Sequence, residues 1–455
     1  MKHTAIVADR LSLRICLGFG IGTVGVSIML NGVTAYYPAL MSTVLGQSPE
    51  VAGYLLMGAK LYDAFVDMLI GSMSDRTRSR WGRRRPFMLL GALLSAGSFL
   101  MLFAPPRMSN EALIAYMIAA QILYSTAYSL FNVPYMALPA ELTNGFAERT
   151  RLLSFRTVFV SLGQMLATAG TAAIIKHGGG GGPAFATMGL VMALFIGGAM
   201  TATVLSVPST DTEAAISGHA AMPRANLFRQ IGLLTANRPY MLLLGAKIFQ
   251  FLAFASMAST QLLYMLNVLG IGYAGQVTLA VTQNLVAALS VPLWVKMGRD
   301  YGKRLTYLAG VLLFCGAALS WLAAVHGEPS SHLVMRGIVS GAGSAALILM
   351  SVSMLGDTMV YDRIITGMAR EGLMSSTVAV IEKASFALGV ALLGAFLHAL
   401  HYVPTTGGKL VGQPPSALLA LTMGYAVIPS ICFMINGVFL SLYNLKETDL
   451  GTATA

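Results

Sequence analysis

Runs of about twenty apolar residues recur along the whole of this sequence of 455 residues. Such a run can cross a bilayer as an α-helix, which pairs all of its backbone groups internally. About twelve are present, near residues 14–41, 51–74, 86–106, 112–140, 152–176, 183–207, 239–267, 272–297, 304–325, 332–357, 373–401 and 416–444. With 56% hydrophobic and only 10% charged residues, a soluble protein of this size is excluded. The sequence predicts an all-α membrane protein with twelve transmembrane helices.

The positive charge is sorted by loop rather than pooled into one patch, which argues against a nucleic-acid partner despite the net charge of +11. Groups of Lys and Arg residues follow the second, fourth and eighth runs: Arg76, Arg78, Arg80, Arg83, Arg84, Arg85; Arg149, Arg151, Arg156; Lys296, Arg299, Lys303, Arg304. Such loops stay on the cytoplasmic side of a membrane. We therefore predict a multi-pass inner-membrane protein whose N- and C-termini are both cytoplasmic, with membrane lipid around it.

The spans divide six and six around a polar stretch. This stretch, residues 208–238, predicts a central cytoplasmic loop between an N-terminal bundle (1–207) and a C-terminal bundle (239–455). A basic, glycine-containing turn follows the second span (71–84) and recurs after the eighth (298–304). Two equivalent halves indicate a pseudo-symmetric structural repeat, with solute binding expected at the midplane. Small residues in the tenth and eleventh spans predict close helix contacts: Ser340, Gly341, Gly343, Ser344, Gly389 and Gly394.

Asp63 and Asp67 interrupt the second apolar run, and Lys60 precedes them on the same side of a helix. A carboxylate at bilayer depth costs at least a few kcal/mol, so two of them need a task or a partner. Hydroxyl and amide oxygens on one face of the fourth run, Ser129 and Asn132 among them, could complete a shell around a monovalent cation. The alternative is a buried ion network without a transport role. The three cysteines lie far apart within predicted spans, so neither a disulfide nor a cofactor metal is indicated.

Three groups of residues resemble the pattern of a known family. They are Tyr62 to Asp67 with Asp75 to Pro86, Asn132 to Tyr135 with Glu148 to Arg151, and Thr366 to Gly372 leading to Lys383. Together they resemble the glycoside-pentoside-hexuronide:cation symporters, the melibiose permease-like family of the major facilitator superfamily. The resemblance implies the major facilitator fold, no cofactor, and Na⁺ or H⁺ as the coupling ion. A monomer is the family default.

The resemblance also implies a cation site and a gating loop. The cation site would use Asp63, Asp67, Ser129 and Asn132, although Asn132 stands where the family has a carboxylate. The gating loop would pair with helix ends in one state of alternating access, through Asp75, Arg76, Arg83, Arg84 and Arg85.

The candidate substrate-binding residues depart further from the family pattern than the cation-site residues do. The resemblance and the fourth run together suggest Asn132, Tyr135, Met136, Arg156 and Lys383. Met136 replaces the family's tryptophan, and residues 20–25 of the first run lack the family's acid. Arg156 could instead be a cytoplasmic anchor, and Lys383 a snorkelling or internally paired residue.

The predicted function is cation-coupled symport of a small-molecule solute, a sugar, glycoside or hexuronide on family grounds. The lost acids and tryptophan keep open a second solute class, amphipathic or lysolipid-like molecules. A membrane enzyme or a non-transporting receptor is a third possibility, but no nucleophile constellation and no sizeable soluble domain supports it.

Overall fold

The computed structural model describes residues 11–77, 79, 81–143, 146–208, 234–367, 370–445 and 449, without the side chains of residues 75, 76, 140, 146, 147, 149 and 150. Within this part of the chain there are twelve long helices and no strand. The first six are α1 (Leu13–Ala39, extended by a π-helical turn, Leu40–Val44), α2 (Pro49–Arg76), α3 (Arg85–Phe103), α4 (Asn110–Leu142), α5 (Phe146–Met165, a π-helical turn Leu166–Gly170, then Thr171–His177) and α6 (Gly182–Ser206).

The other six helices follow the central loop. They are α7 (Arg238–Asn267), α8 (Gly272–Tyr301), α9 (Lys303–Leu319, followed by a 3₁₀ turn Ser320–Ala323), α10 (Ser330–Thr366), α11 (Glu371–Ala399) and α12 (Pro415–Thr422, a π-helical turn Met423–Val427, then Ile428–Leu442).

Eleven of these helices are long and apolar enough to cross a membrane. The twelfth, α2, has 28 residues, about 42 Å of helix, so its length also suffices. It is less apolar than the other eleven, because Lys60, Asp63 and Asp67 lie in its middle. The prediction of an all-α membrane protein with twelve spans is confirmed.

The described residues divide into two compact units. The first takes in the described parts of Met1–Gln47, Leu55–Ala221 and Pro404–Leu410, and the second those of Ser48–Tyr54, Met222–Val403 and Val411–Ala455. The first turn of α2 therefore groups with the second unit, and a segment between α11 and α12 groups with the first. The predicted domain limits of 1–207 and 239–455 do not include this exchange and stay a prediction.

Close helix contacts in the first unit depend on glycine. A Cβ at Gly22 of α1 would lie 2.5 Å from the Thr203 hydroxyl oxygen of α6. A Cβ at Gly91 of α3 would lie 2.5 Å from the backbone nitrogen of Phe131 on α4. Real Cβ atoms do not approach this closely, so a larger side chain would separate the helices.

The same device operates in the second unit, where small residues were predicted to allow close contacts. A Cβ at Gly341 of α10 would lie 2.5 Å from the carbonyl oxygen of Gln283 on α8. A Cβ at Gly343 would lie 2.9 Å from the backbone nitrogen of Phe314 on α9, and a Cβ at Gly389 of α11 would lie 2.7 Å from the Ala255 side chain of α7. At these glycines the prediction is confirmed, and α10 is held tightly between its neighbours.

Candidate functional site

Asp63 and Ser129 meet inside the first unit. The Ser129 hydroxyl on α4 donates to an Asp63 carboxylate oxygen on α2 at 3.0 Å, and both residues are buried, at 0% and 3% exposure. Two further contacts hold the same helices together: Ser125 donates to the Ala59 carbonyl at 3.2 Å, and the Tyr62 and Thr126 hydroxyls lie 3.0 Å apart. The structure thus brings together two of the predicted cation ligands. Ion binding by them stays a prediction.

Asp67 follows Asp63 by one turn of α2 and is half-buried. Tyr128, buried on α4, interacts electrostatically with both aspartates and with Arg156 of α5. Three charged side chains from two helices therefore act electrostatically on one phenol. Sequence reasoning missed Tyr128, although its position directly before Ser129 was a usable signal.

Asn132 and Met136 lie further along α4, beyond the Asp63–Ser129 contact. Asn132 is half-buried, whereas Met136 is 48% exposed. Pro134 between them cannot donate to the Leu130 carbonyl as an α-helix would require, and Pro139 has the same effect one turn later. A helix deprived of two hydrogen bonds bends more easily, so this end of α4 is less rigid than the serine-bearing part.

Tyr135 has a packing role. It is fully buried, its hydroxyl donates to the Phe19 carbonyl of α1 at 2.7 Å, and its ring stacks between Phe19 and Phe131, with centroids 4.6 and 5.4 Å away. Its ring and its donated hydrogen bond are thus used between α1 and α4. The predicted substrate contact by Tyr135 stays a prediction that this geometry does not support.

Arg156 is half-buried on α5 and faces the polar cluster of the first unit. Its guanidinium interacts electrostatically with the hydroxyls of Tyr128 and Tyr135. Its Nε atom is buried and makes no hydrogen bond within the described part of the chain. A buried donor normally finds an acceptor, so this nitrogen is suited to a solute oxygen.

Lys383 lies half-buried on α11, in the second unit. The preceding residue, Glu382, accepts a charge-assisted hydrogen bond from Lys247 of α7 at 2.7 Å. The predicted substrate contact of Lys383 stays a prediction. The Lys247–Glu382 pair was not predicted, because nothing in the sequence says which of two separated charges meet.

The basic turn after α2 pairs with the end of α4. Arg83 and Arg84 both bind the buried carboxylate of Glu141, and Arg85 donates to the Val207 carbonyl after α6. The side chains of Asp75 and Arg76, also predicted for the gating loop, lie outside the described residues. The gating role stays a prediction, now with Glu141 as an added partner.

The second unit repeats this arrangement. Lys303, at the start of α9, binds Asp357 of α10 with both oxygens at 2.7 Å. The third helix of each half is thus tied to the fourth by a basic residue and an acid. This equivalence supports the predicted internal repeat.

A buried ion pair closes the α10–α11 connection. Arg370 donates from Nε and Nη2 to the two carboxylate oxygens of Asp362, at 3.0 and 2.8 Å. Asn237, at the start of α7, donates to the same carboxylate at 3.3 Å and to the Thr358 carbonyl at 3.0 Å. Arg370, one residue of the Thr366 to Gly372 group in the family resemblance, therefore helps to join α7, α10 and α11 through Asp362.

The known proteins that this chain resembles are transporters. Residues 18–447 match the family model described as MFS/sugar transport protein. A glucuronide carrier protein homolog of Escherichia coli (strain K12) is 26% identical, covering 96% of this chain and 94% of that protein. A putative glycoside/cation symporter of the same strain is 22% identical, covering 96% and 93%. Among solved structures, the nucleoside transporter NupG has a TM-score of 0.66 at 12% identity, covering 95% of this chain and 100% of that one, which shows the fold alone.

Proposed function

Because this chain belongs to the MFS/sugar transport protein family, we propose that it is a cation-coupled symporter of a sugar-type solute. Family membership makes it a secondary transporter with the major facilitator fold. The family and its solved neighbours are transporters, not enzymes. The coupling ion, Na⁺ or H⁺, and the solute class belong to the proposal.

One observation carries the cation site: the buried Asp63 carboxylate bound by the Ser129 hydroxyl at 3.0 Å. A hard cation prefers oxygen ligands, and this contact places a carboxylate and a hydroxyl side by side at membrane depth. Asp67 supplies the second carboxylate one turn away, and Asn132 an amide oxygen further along α4. Coupling then follows if ion binding neutralises these carboxylates before the protein changes conformation by alternating access.

Two observations support the proposed solute class: the Arg156 guanidinium and the names of the relatives. Arg156 presents a buried Nε with no hydrogen bond in the described chain, next to two phenols. The names of relatives refer to glucuronides and glycosides. We therefore propose a glycoside or hexuronide as solute. The amphipathic or lysolipid-like alternative is not favoured, since no relative reported above is named for such a molecule.

The protein is a multi-pass membrane protein, and its bacterial relatives support the inner membrane. We propose that both termini are cytoplasmic, since the basic loops then lie inside. A monomer surrounded by lipid completes the proposal.

Uptake by purified protein in proteoliposomes tests the function. We expect a labelled glycoside or glucuronide to accumulate under an inward Na⁺ or H⁺ gradient. Asp67→Asn should abolish this dependence without unfolding the protein, while Asp300→Asn, a change at an exposed acid next to Arg299, should not. Undiminished Na⁺- and pH-dependent accumulation in Asp67→Asn contradicts the proposal and favours a buried ion network without a transport role.

A further inference from the structure

The Lys247–Glu382 pair of opposite charges joins two helices of the second unit. The Lys247 ammonium on α7 donates to a Glu382 carboxylate oxygen on α11 at 2.7 Å. Charges within membrane spans are rare and tend to mark solute or ion pathways. An ion pair also gives little net stability compared with an apolar pair of similar volume. Its presence here calls for a role other than holding two helices together.

Two neutral polar side chains near this pair, Gln250 and Asn436, each make a hydrogen bond to another partner. Gln250, one turn from Lys247, accepts from the Tyr307 hydroxyl of α9 at 2.7 Å. Asn436 of α12 donates to the Ala246 carbonyl at 2.6 Å. Within the described residues, Glu382 is thus the only carboxylate in contact with Lys247. The ammonium has no second counter-charge there.

The two partners differ in access. The Lys247 side chain is 4% exposed, whereas that of Glu382 is 28% exposed. Lys247 is therefore a fixed buried cation, with the ring of Phe251 5.8 Å from its Nζ atom, and Glu382 is the member at the edge of the pair. A partner at the edge can leave while the buried charge keeps its place.

Only an anion can replace Glu382 without leaving Lys247 uncompensated. A carboxylate or sulfonate has the same charge and presents oxygens to an ammonium in the same way as Glu382. A neutral hydroxyl would leave a buried ammonium without a counter-charge, which is strongly unfavourable. The pair therefore discriminates between anionic and neutral solutes.

We propose that Lys247 binds the anionic group of a uronate or sulfonate solute, which displaces Glu382 from it. This inference rests on the proposed function and narrows its solute class to acidic sugars and their sulfonate analogues. Lys247 is the binding residue. Glu382 is the competitor that the solute must displace, so removing its charge and removing the ammonium have opposite effects.

Two matched probes test the exchange: p-nitrophenyl β-D-glucuronide and p-nitrophenyl β-D-glucoside, which differ only in a carboxylate against a hydroxymethyl group. The readout is the ratio of their half-saturating concentrations for uptake by the full-length protein in proteoliposomes. We expect Glu382→Gln to lower the glucuronide-to-glucoside ratio by about tenfold, because one charged competitor is removed. The apolar double variant Lys247→Met with Glu382→Met should raise it by about tenfold or more and keep the fold.

A charge-swapped variant, Lys247→Glu with Glu382→Lys, separates exchange from simple packing. It keeps an ion pair between α7 and α11 but places the cation on the exposed side. If the pair is only structural, the swap restores the wild-type ratio, and that result overturns the inference. An unchanged ratio in Glu382→Gln also overturns the inference. Wild-type uptake that does not depend on Na⁺ or pH overturns the proposed function instead.

Discussion

The hydroxyls of Ser125 and Ser129 lie one turn apart on α4 and bind different kinds of acceptor on α2. Ser129 donates to the Asp63 carboxylate at 3.0 Å, and Ser125 donates to the Ala59 backbone carbonyl at 3.2 Å. Both serines are buried. One contact thus touches the candidate ion site, and the other only joins the helices, so the two serines form a natural matched pair.

Ser129→Ala should raise the cation concentration that gives half-maximal uptake by about tenfold, since a hydrogen bond to a charged group is worth about 1.5–3 kcal/mol. Ser125→Ala should lower thermal stability slightly and leave that concentration unchanged. Uptake measured against Na⁺ concentration and against pH decides between them. Equal effects of both substitutions would show that Ser129 only packs α4 against α2.

Arg370→Ala should destabilise the protein by about 3–5 kcal/mol, because it leaves the buried Asp362 carboxylate without its bidentate partner. Arg370→Lys keeps the charge but loses the two parallel donors, so it should recover only part of that stability. Arg363→Ala is the control: its side chain is 69% exposed, and its substitution should change stability by no more than about 0.5 kcal/mol. Unfolding midpoints in detergent measure all three. Equal midpoints for Arg370→Ala and the control would show that the Arg370–Asp362 pair does not stabilise the protein.

Glu141→Ala and Asp357→Ala should differ although they occupy equivalent places in the two halves. Glu141 is buried and binds Arg83 and Arg84, so its loss leaves two largely buried arginines uncompensated, at about 3 kcal/mol. The Lys303–Asp357 pair is more exposed, 31% and 23%, and its loss should cost about 1 kcal/mol or less. Thermal unfolding compares the two, and the prediction fails if Asp357→Ala is the more damaging.

Gly91→Ala should lower stability by about 1–3 kcal/mol, because its Cβ would meet the backbone of Phe131, which cannot rotate away. Since Phe131 lies two residues from Ser129, cation activation of uptake should weaken as well. Gly97→Ala on the same helix has nothing within 4 Å of the added Cβ and should be neutral or slightly stabilising. Unfolding midpoints and cation activation curves provide the test.

Hydropathy predicted the helices well, and the limits it missed have a local cause. The tenth span was predicted to end at 357, but α10 continues to Thr366. Asp357 and Asp362 lie where the apolar run ends in the sequence. In the fold, Lys303 and Arg370 neutralise them, so the helix can continue past both acids. Only tertiary contacts reveal this.

The candidate site was predictable where a helix face or the family resemblance marked it. The spacing of Asp63 and Asp67 marked them directly, and Ser129 followed from the polar face of the fourth run and from the resemblance. Which partners meet across helices depends on how each helix is rotated about its axis. The pairs that were not predicted are Lys247 with Glu382, the two arginines with Glu141, and Tyr135 with the Phe19 carbonyl. Rotation is set by packing, to which a single sequence gives little access.

The π-helical turns inside α5 and α12 have a consequence for comparing this chain with its relatives. Each such turn holds one residue more than an α-helical turn, so every helical side chain beyond it is rotated by about 100° from where an uninterrupted helix would place it. A relative lacking one residue there would present the same faces on one side of the turn and different faces on the other. Gaps placed elsewhere in these helices would therefore align lipid-facing residues with interior ones.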